Sequence, residues 1–146
     1  LEGILVEEGM LASREPSPKE WDNIRYGWEM AYEMGRLDIG QCVVIKDKVV
    51  VAVEAVEGTD GAIKRGGELA KEGAVVVKRC KPQQDLRFDL PAIGPRTIEV
   101  MASVNATVLA VEAGRTVMLD RDLLLEKARQ AGIAVVGIKH LEPIKA

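Results

Sequence analysis

The densest group of reactive side chains lies between Asp85 and Pro91. This segment holds two acids, Asp85 and Asp89, with Arg87 between them and the only phenylalanine of the chain. In an extended chain, carboxylates at this spacing can point toward one site and bind Mg²⁺. A metal held there could polarise a phosphoryl group and activate water, while Arg87 could pair with phosphate oxygens. The same spacing equally allows local salt bridges between Arg87 and its two acidic neighbours.

A glycine-flanked turn, Gly58 to Gly61, stands between a predicted strand and a predicted helix. Backbone N–H groups at a helix start attract phosphate, and glycine lets a ligand approach the backbone closely. Glu57 and Asp60 could instead hold a divalent metal, and an ordinary capped turn is the third interpretation. The segment is not a Walker P-loop, because Gly67 and Glu68 stand where that motif requires Lys and Ser or Thr.

A second helix start suited to an anion is predicted from Gly94 to Thr97, where Arg96 and the Thr97 hydroxyl are close at hand. Residues 64–96 carry 8 Lys+Arg against 4 Asp+Glu. That surplus favours a small anionic ligand over DNA, which needs a broad basic face. A chance fluctuation on solvated surface is the alternative. We expect most of the other basic side chains here to be solvated, namely Lys64, Arg65, Lys78, Arg79 and Lys81.

Several catalytic classes lack the residues they need. His140 is the only histidine, and Cys42 and Cys80 lie far apart without a C-x-x-C motif. The chain therefore has few of the histidine and cysteine residues that a structural zinc site or a Cys/His triad requires. No serine stands in a G-x-S-x-G setting, so the nucleophile elbow of serine hydrolases is absent. We expect His140 at the surface, and two buried, reduced thiols as in a cytosolic protein.

Composition limits the partners. Aromatic residues make up 3% of the chain and the net charge is −3, which argues against nucleic-acid binding. No apolar run approaches the roughly 20 residues of a membrane span, and no signal peptide is visible. The chain begins at Leu1 rather than Met, so we expect a fragment of a longer protein.

The elements that must position these residues alternate along the chain. Ser17, Pro18 and Glu20 form a capping-box pattern that starts a helix ending at Gly35 or Gly40. The elements after it are a hairpin (Cys42–Lys46 and Val49–Val56), a helix (62–71), a strand (74–80), a long loop (82–94), a helix (95–105), two short strands (107–112 and 116–119), a helix from Asp120 to Gln130 and a final strand (133–138). The sequence therefore predicts a single α/β domain with a mixed β-sheet covered by about four helices.

Two of the predicted strands resemble each other. Residues Val51 to Ala55 and Leu109 to Ala113 are both apolar strands that end in a glutamate, Glu54 and Glu112, before a glycine turn. Equivalent strands would place the two carboxylates at one sheet edge. A chance match in a chain rich in Ala, Val and Glu is the alternative.

Four segments in order carry a resemblance to a known family. They are Asp38–Gln41, Ala52–Asp60, Asp85–Gly94 and Ala110–Thr116. Together they resemble the C-terminal domain of the UDP-2,3-diacylglucosamine pyrophosphatase family of lipid A biosynthesis, over nearly the whole chain. The resemblance implies residues 1–15 as an interdomain linker or the start of the fragment, and residues 16–146 as a catalytic-type domain whose N-terminal partner domain is absent.

The resemblance also implies an activity. Family members hydrolyse the pyrophosphate of UDP-2,3-diacylglucosamine to UMP and 2,3-diacylglucosamine 1-phosphate (lipid X), with Mg²⁺ or Mn²⁺ as the cofactor and a site shared with the N-terminal domain. Asp89, and then Asp85, are the implied catalytic carboxylates. The implied metal ligands are Asp85, Asp89, Glu57 and Asp60. The implied substrate-binding residues are Thr59 and Arg87. The helix start suited to an anion adds Gly94, Arg96 and Thr97 as expected substrate-binding residues.

The same resemblance implies a cytoplasmic protein of Gram-negative-type bacteria. Its partners would be the nucleotide-lipid substrate, its own N-terminal domain, a second copy in a homodimer, and the inner membrane through peripheral contact. Two other functions fit the residues: hydrolysis of a soluble nucleotide diphosphate, and a nucleotide- or lipid-binding module without catalysis. The isolated fragment is expected to fold but to be nearly inactive.

Overall fold

A mixed six-stranded sheet forms the centre of the computed structural model, which describes residues 4–85, 87 and 89–142. The six strands follow the order β1-β8-β6-β4-β2-β3. They are β1 (Gly9–Ala12), β2 (Cys42–Lys46), β3 (Val49–Val53), β4 (Val75–Lys78), β6 (Val108–Glu112) and β8 (Ala134–Ile138). A separate two-stranded sheet contains β5 (Ala92–Ile93) and β7 (Val117–Met118). The helices are α1 (Pro18–Arg36), α2 (Thr59–Ala70), α3 (Pro95–Ser103) and α4 (Arg121–Ala131).

Strand direction determines which chain segments meet. The three central strands β4, β6 and β8 are mutually parallel, and β2 is antiparallel both to β4 and to its hairpin partner β3. The ends of β3, β4, β6 and β8 and the start of β2 therefore share one edge of the sheet. We call this the carboxyl edge. Nearly continuous Val, Ile and Ala runs form the central strands because both of their faces are buried.

Helices cover both faces of the sheet. Helix α1 packs on one face, where Ile24 and Trp28 join the side chains of Val43 and Val77. The other three helices cover the opposite face, where Ile63, Met101 and Leu124 lie in a second apolar cluster. The start of α1 has the predicted capping box, in which Ser17 and Glu20 each accept a backbone N–H from the other.

The predicted fold class is confirmed: the described residues form a single α/β unit with a mixed sheet and four helices. The hairpin of β2 and β3 is also confirmed, although β3 ends at Val53 rather than Val56. Glu54 and Glu112 lie at the same edge, as equivalent strands would require.

The two short strands predicted at 107–112 and 116–119, expected to form a hairpin because a short turn joins them, do not pair with each other. Strand β6 has β4 on one side and β8 on the other, so no hydrogen-bonding edge remains for β7. Instead β7 pairs in parallel with β5. The chain also has a strand that the sequence did not indicate. Strand β1, within the segment 1–15, pairs antiparallel with β8 through a register shift.

None of the helices in the described part of the chain is long and apolar enough to cross a bilayer.

Candidate functional site at the carboxyl edge

Glu54 forms the first corner of the carboxyl edge, directly after β3. Its carboxylate accepts the Gln41 backbone N–H at 2.9 Å and the Thr59 hydroxyl at 3.0 Å. Gly58, with φ of 84°, is the residue before α2 and lets the chain turn sharply there. Thr59, a predicted substrate-binding residue, is therefore held by Glu54 at the start of α2.

The starts of α2 and α3 lie side by side. An ion pair of 3.3 Å joins Arg96 Nε to Asp60 Oδ2 across the two helices. Thr97 is buried, and its hydroxyl accepts the Gly94 N–H at 3.3 Å, so it caps α3. The fold thus brings together four of the predicted substrate-binding residues, which are Thr59, Gly94, Arg96 and Thr97.

A buried lysine supports this corner. Lys78, at the end of β4, is 7% exposed, and its ammonium group donates to the Ala92 carbonyl at 2.8 Å. The expectation of solvated surface is therefore wrong for Lys78, because the ammonium ties β5 to the main sheet. The same expectation agrees with the structure for Lys64 and Arg65, which are exposed.

The loop that contains the predicted catalytic carboxylates is fixed at its beginning. Gln84 Oε1 accepts from the Cys80 thiol and from the Lys81 backbone N–H, both at 3.3 Å, and it also contacts the Gln41 side chain. Lys81 in turn pairs with Asp38 at 2.8 Å. The loop therefore leaves the carboxyl edge from a defined starting point.

Asp85 and Asp89 differ in their surroundings. Arg87 donates from Nε and Nη2 to the two oxygens of Asp85, both at 3.1 Å, and this interaction lowers the pKa of the Asp85 carboxyl. The local salt bridge that the sequence allowed therefore exists for Asp85. Asp89 is exposed, and its carboxylate has no hydrogen-bond or ion-pair partner within the described residues. Leu86 and Phe88 lie outside the described residues.

The four predicted metal ligands do not form one cluster. Glu57 pairs with Arg65, whose hydrogen bond lowers the pKa of the carboxyl, and it also accepts the Ala55 N–H at 3.0 Å. Asp60 pairs with Arg96, and Asp85 with Arg87. Within the ranges that the structure describes, no three His, Cys, Asp or Glu side chains are placed to hold a metal ion. These residues do not fit a preformed metal site.

A second corner lies after β4 and β6, on the α1 face. Glu112 accepts the Cys80 N–H at 3.0 Å and pairs with Arg79 Nη2 at 3.7 Å. The Arg79 guanidinium lies 3.9 Å from the centre of the Trp28 ring, and its Nη1 donates to the Trp28 carbonyl at 3.0 Å. Burial lowers the pKa of Arg79, and Glu112 opposes that shift. Arg79 is thus a fixed, mostly buried charge, contrary to the expectation of solvated surface.

Sequence reasoning missed this corner because it weighed each basic side chain by itself. A usable signal was present: Lys78 and Arg79 directly follow a run of three valines, and Glu112 ends another apolar strand. Polar residues directly after buried parallel strands meet at one edge of a sheet.

Comparison with known proteins connects this edge to a family. The family model of the LpxI C-terminal domain matches residues 7–136. The chain belongs to the LpxI C-terminal domain family. The resemblance predicted from the four sequence segments is therefore confirmed.

Individual relatives agree with the family match. The UDP-2,3-diacylglucosamine pyrophosphatase LpxI of Caulobacter vibrioides is 36% identical over 95% of this chain and 52% of its own length. The bifunctional purine biosynthesis protein PurH of Bacillus subtilis is 28% identical over 94% of this chain and 25% of its own length. The chain thus spans about half of the LpxI relative and a quarter of PurH.

A solved structure was also compared. The diaminohydroxyphosphoribosylaminopyrimidine deaminase/5-amino-6-(5-phosphoribosylamino)uracil reductase of Thermotoga maritima superposes on 80% of this chain and 36% of its own. The TM-score is 0.45 and the identity is 15%, too low to bear on fold or function.

Proposed function

We propose that this LpxI C-terminal domain hydrolyses the pyrophosphate bond of UDP-2,3-diacylglucosamine, giving UMP and lipid X, within a site that it shares with an N-terminal domain. The observation that carries the proposal is the 36% identity to the LpxI pyrophosphatase over 95% of this chain. On this proposal the domain alone has little activity, because it supplies only part of the site.

The carboxyl edge supports a pyrophosphate substrate. Arg87 lies in the loop between β4 and β5, and Arg96 lies at the start of α3. Their side chains are 79% and 80% exposed, respectively. Guanidinium groups bind phosphate oxygens through paired hydrogen bonds. Each now pairs with an aspartate, and an incoming phosphate can compete with such exposed pairs because they are weak.

Asp89 is the carboxylate best placed to act on water. Because it is exposed and has no partner within the described residues, it is free to accept a proton from an attacking water molecule. Asp85 is held by Arg87, so its role in the proposal is to position that arginine. We infer direct attack by water, since the sequence offers no serine, cysteine or histidine constellation for a covalent intermediate.

Dependence on Mg²⁺ or Mn²⁺ is part of the proposal. Mg²⁺ commonly binds through one or two carboxylates together with substrate phosphates and water. Ligands from the substrate and from the N-terminal domain would therefore be needed to complete a site. A cytoplasmic location, peripheral contact with the inner membrane and a homodimer also remain proposals.

The test is release of UMP from UDP-2,3-diacylglucosamine, measured with this chain and with the complete protein expressed from the open reading frame that encodes it. The variants are Asp89→Asn and Asp85→Asn, each assayed with Mg²⁺, with Mn²⁺ and with EDTA. Asp47→Asn is the matched control, because Asp47 lies in the β2–β3 turn at the opposite edge of the sheet.

We expect Asp89→Asn to lower kcat by about a hundredfold or more, which is typical for loss of a general base. Asp85→Asn should lower it less, and Asp47→Asn should leave it unchanged. Absence of UMP release from the complete protein, or activity that survives Asp89→Asn, would refute the proposal. Hydrolysis of UDP-sugars without acyl chains at an equal rate would favour a soluble substrate. Binding without hydrolysis would favour a binding module.

A further inference from the structure

A polar crevice opens at the carboxyl ends of β4, β6 and β8, on the α1 face of the sheet. Its volume is about 430 Å³, and its charged or ionisable lining residues are Arg79, Glu112, Arg115, Lys139 and His140. Ligand sites commonly have volumes of this order. Open α/β sheets bind their ligands outside the carboxyl ends of parallel strands, which is where this crevice lies.

The charges in the crevice are unbalanced. Glu112 is the only carboxylate among the lining residues that the structure describes, and it is already paired with Arg79 and with the Cys80 N–H. Arg115 and Lys139 are exposed, and neither forms an ion pair with a carboxylate in the described ranges. The crevice therefore presents two cationic groups that have no carboxylate partner among the described residues, backed by the fixed charge of Arg79.

Arg79 keeps unused hydrogen-bonding capacity despite its burial. A guanidinium has five N–H donors, and Trp28 accepts one of them at 3.0 Å. The buried Nε has no hydrogen-bond partner within the described part of the chain. The contact with Glu112 at 3.7 Å is too long for a good hydrogen bond. Stacking on Trp28, rather than a full set of acceptors, holds this side chain in place.

The turn that presents Arg115 is rigid. Gly114 has a φ of 76°, a conformation that other residues adopt only with strain. Its N–H donates to the Val6 carbonyl at 2.8 Å, and the Thr116 hydroxyl donates to the Glu112 carbonyl at 2.7 Å. A turn fixed in this way loses little conformational freedom when a ligand binds beside it.

The crevice adjoins the loop of the predicted catalytic carboxylates. Burial raises the pKa of the Cys80 thiol, the charge of Glu112 raises it further, Arg115 lowers it and Asp89 raises it. Cys80 also joins the two regions directly, because its backbone N–H donates to Glu112 of the crevice at 3.0 Å and its thiol donates to Gln84 at the start of the loop at 3.3 Å.

We propose that the polar crevice binds a diphosphate group through Arg115 and Lys139, with Arg79 as the fixed charge beneath them. The proposal extends the proposed function, because it gives the diphosphate of the substrate a place beside the Asp89 loop. The same chemistry would bind free pyrophosphate, so the test must separate the two sources. Binding can be measured on this chain without any hydrolysis.

The experiment is isothermal titration calorimetry of this chain with UDP, inorganic pyrophosphate and, as an uncharged probe, uridine. The variants are Arg115→Gln and Lys139→Gln, both at exposed positions that leave the core intact. Arg129→Gln is the matched control, since Arg129 is exposed near the end of α4 at the opposite edge and pairs with Glu126. Circular dichroism confirms that each variant is folded.

We expect UDP and pyrophosphate to bind and uridine to give no heat. Each crevice variant should raise the Kd of both anions by about tenfold or more, as expected for the loss of a hydrogen bond to a charged group. Tighter binding of UDP than of pyrophosphate would indicate a nucleotide diphosphate. No anion binding, or equal binding by Arg115→Gln, Lys139→Gln and Arg129→Gln, would overturn the proposal.

The outcomes also separate this proposal from the proposed function. If the complete protein releases no UMP but the crevice variants lose UDP binding, the crevice stands and the activity fails. If UMP release is robust and neither KM nor UDP binding responds to Arg115→Gln or Lys139→Gln, the activity stands and the crevice fails.

Discussion

Glu54 and Glu112 each lie at the end of an apolar strand. Glu54 accepts the backbone N–H of Gln41, and Glu112 accepts that of Cys80, each on a neighbouring segment of the same chain. Unpaired backbone donors at a strand end are costly when buried. The two carboxylates therefore hold the sheet edge together. Their position directly after a strand predicted only that they share one edge of the sheet, and their partners show that they are committed to the backbone.

Glu20 shows the same kind of commitment with a measurable consequence. Arg14 donates to its two oxygens at 2.7 and 2.9 Å, and the Ser17 backbone N–H donates at 2.9 Å. Burial alone would raise the pKa of Glu20, but the hydrogen bonds from Arg14 and Ser17 outweigh it and lower the pKa to about 2. The folded state therefore favours the ionised form more than the unfolded state does.

The first prediction concerns acid stability. Because the folded pKa is depressed, Glu20 contributes stability above its ordinary pKa near 4.5, and that contribution is lost as the pH falls toward 2. We expect Glu20→Gln to lower the free energy of unfolding by about 1–2 kcal/mol at pH 7. The difference from the wild type should shrink toward zero near pH 2, as measured by urea unfolding at several pH values.

Glu126→Gln serves as the comparison, because Glu126 makes an exposed pair with Arg129 on α4. Exposed pairs contribute little, so this variant should change the pH profile much less. A Glu20→Gln effect that stays constant from pH 7 to pH 2 would show that the ion pair is not its source.

At the scale of elements, α2 is a helix although it contains two adjacent glycines. Gly66 and Gly67 lower helix propensity, and the sequence therefore indicated a weakened helix. The structure gives the reason for both. A Cβ on Gly66 would lie 2.6 Å from the Val44 Cβ, and one on Gly67 would lie 2.5 Å from the Val104 Cβ. These glycines let α2 approach β2 and the end of α3, an advantage that propensity cannot reveal.

The second prediction tests this close approach. Gly67→Ala should lower the free energy of unfolding by about 1–3 kcal/mol, because overpacking outweighs the gain in helix propensity. Gly61→Ala on the same helix is the control, since its Cβ would meet only the flexible Glu57 side chain, at 3.1 Å. It should be neutral or stabilising by up to about 1 kcal/mol. Thermal and urea unfolding of both variants measure the difference, and equal effects would contradict the packing argument.

The helices and most strands could be predicted from the sequence because their signals are local. Ser17 and Glu20 mark the start of α1, and the valine runs mark β2, β3 and β4. Strand β1 and the partner of β7 could not be predicted in this way. The pairing of β1 with β8 joins residues more than a hundred positions apart, and β7 pairs with β5 because both edges of β6 are occupied.

The candidate site follows the same division. Asp85, Asp89, Thr59 and Arg96 stand in recognisable local motifs. The group formed by Arg79, Glu112 and Arg115 depends on β4 and β6 being neighbours, because Arg79 lies far from the other two along the chain. Whether Asp89 is catalytic stays a prediction.

At the scale of the whole molecule, the sheet brings distant segments of the sequence together at the carboxyl edge. Strands β3, β4, β6 and β8 all end at the carboxyl edge, and the segments that follow them contain Thr59, Asp89, Arg115 and Lys139. Helix packing on both faces buries the strands and leaves this edge open. Separate segments of the sequence therefore reach one region without any one of them forming a complete motif.

The third prediction concerns the first residues, which the sequence assigned to a linker or the start of a fragment. Val6 is 1% exposed and Ala12 6% exposed. The backbone carbonyl of Glu7 lies so close to Gly137 that a Cβ on residue 137 would overlap this carbonyl. Strand β1 also covers the outer edge of β8. Gly9–Ala12 are therefore part of the sheet and Val6 is part of the core, so the independently stable unit should include residues 6–12.

A chain that begins at Pro16 should accordingly be less stable than one that begins at Ile4, by about 3 kcal/mol or more, because it loses buried apolar surface and a strand pairing. Its exposed β8 edge should promote self-association. Urea unfolding and light scattering measure the two effects, and Arg14→Gln in the longer chain isolates the part due to the ion pair with Glu20. Because the Val6 carbonyl holds the Gly114 N–H, the shorter chain should also bind pyrophosphate more weakly. A monomeric chain from Pro16 with undiminished stability would show that β1 is dispensable and that the domain begins where the sequence predicted.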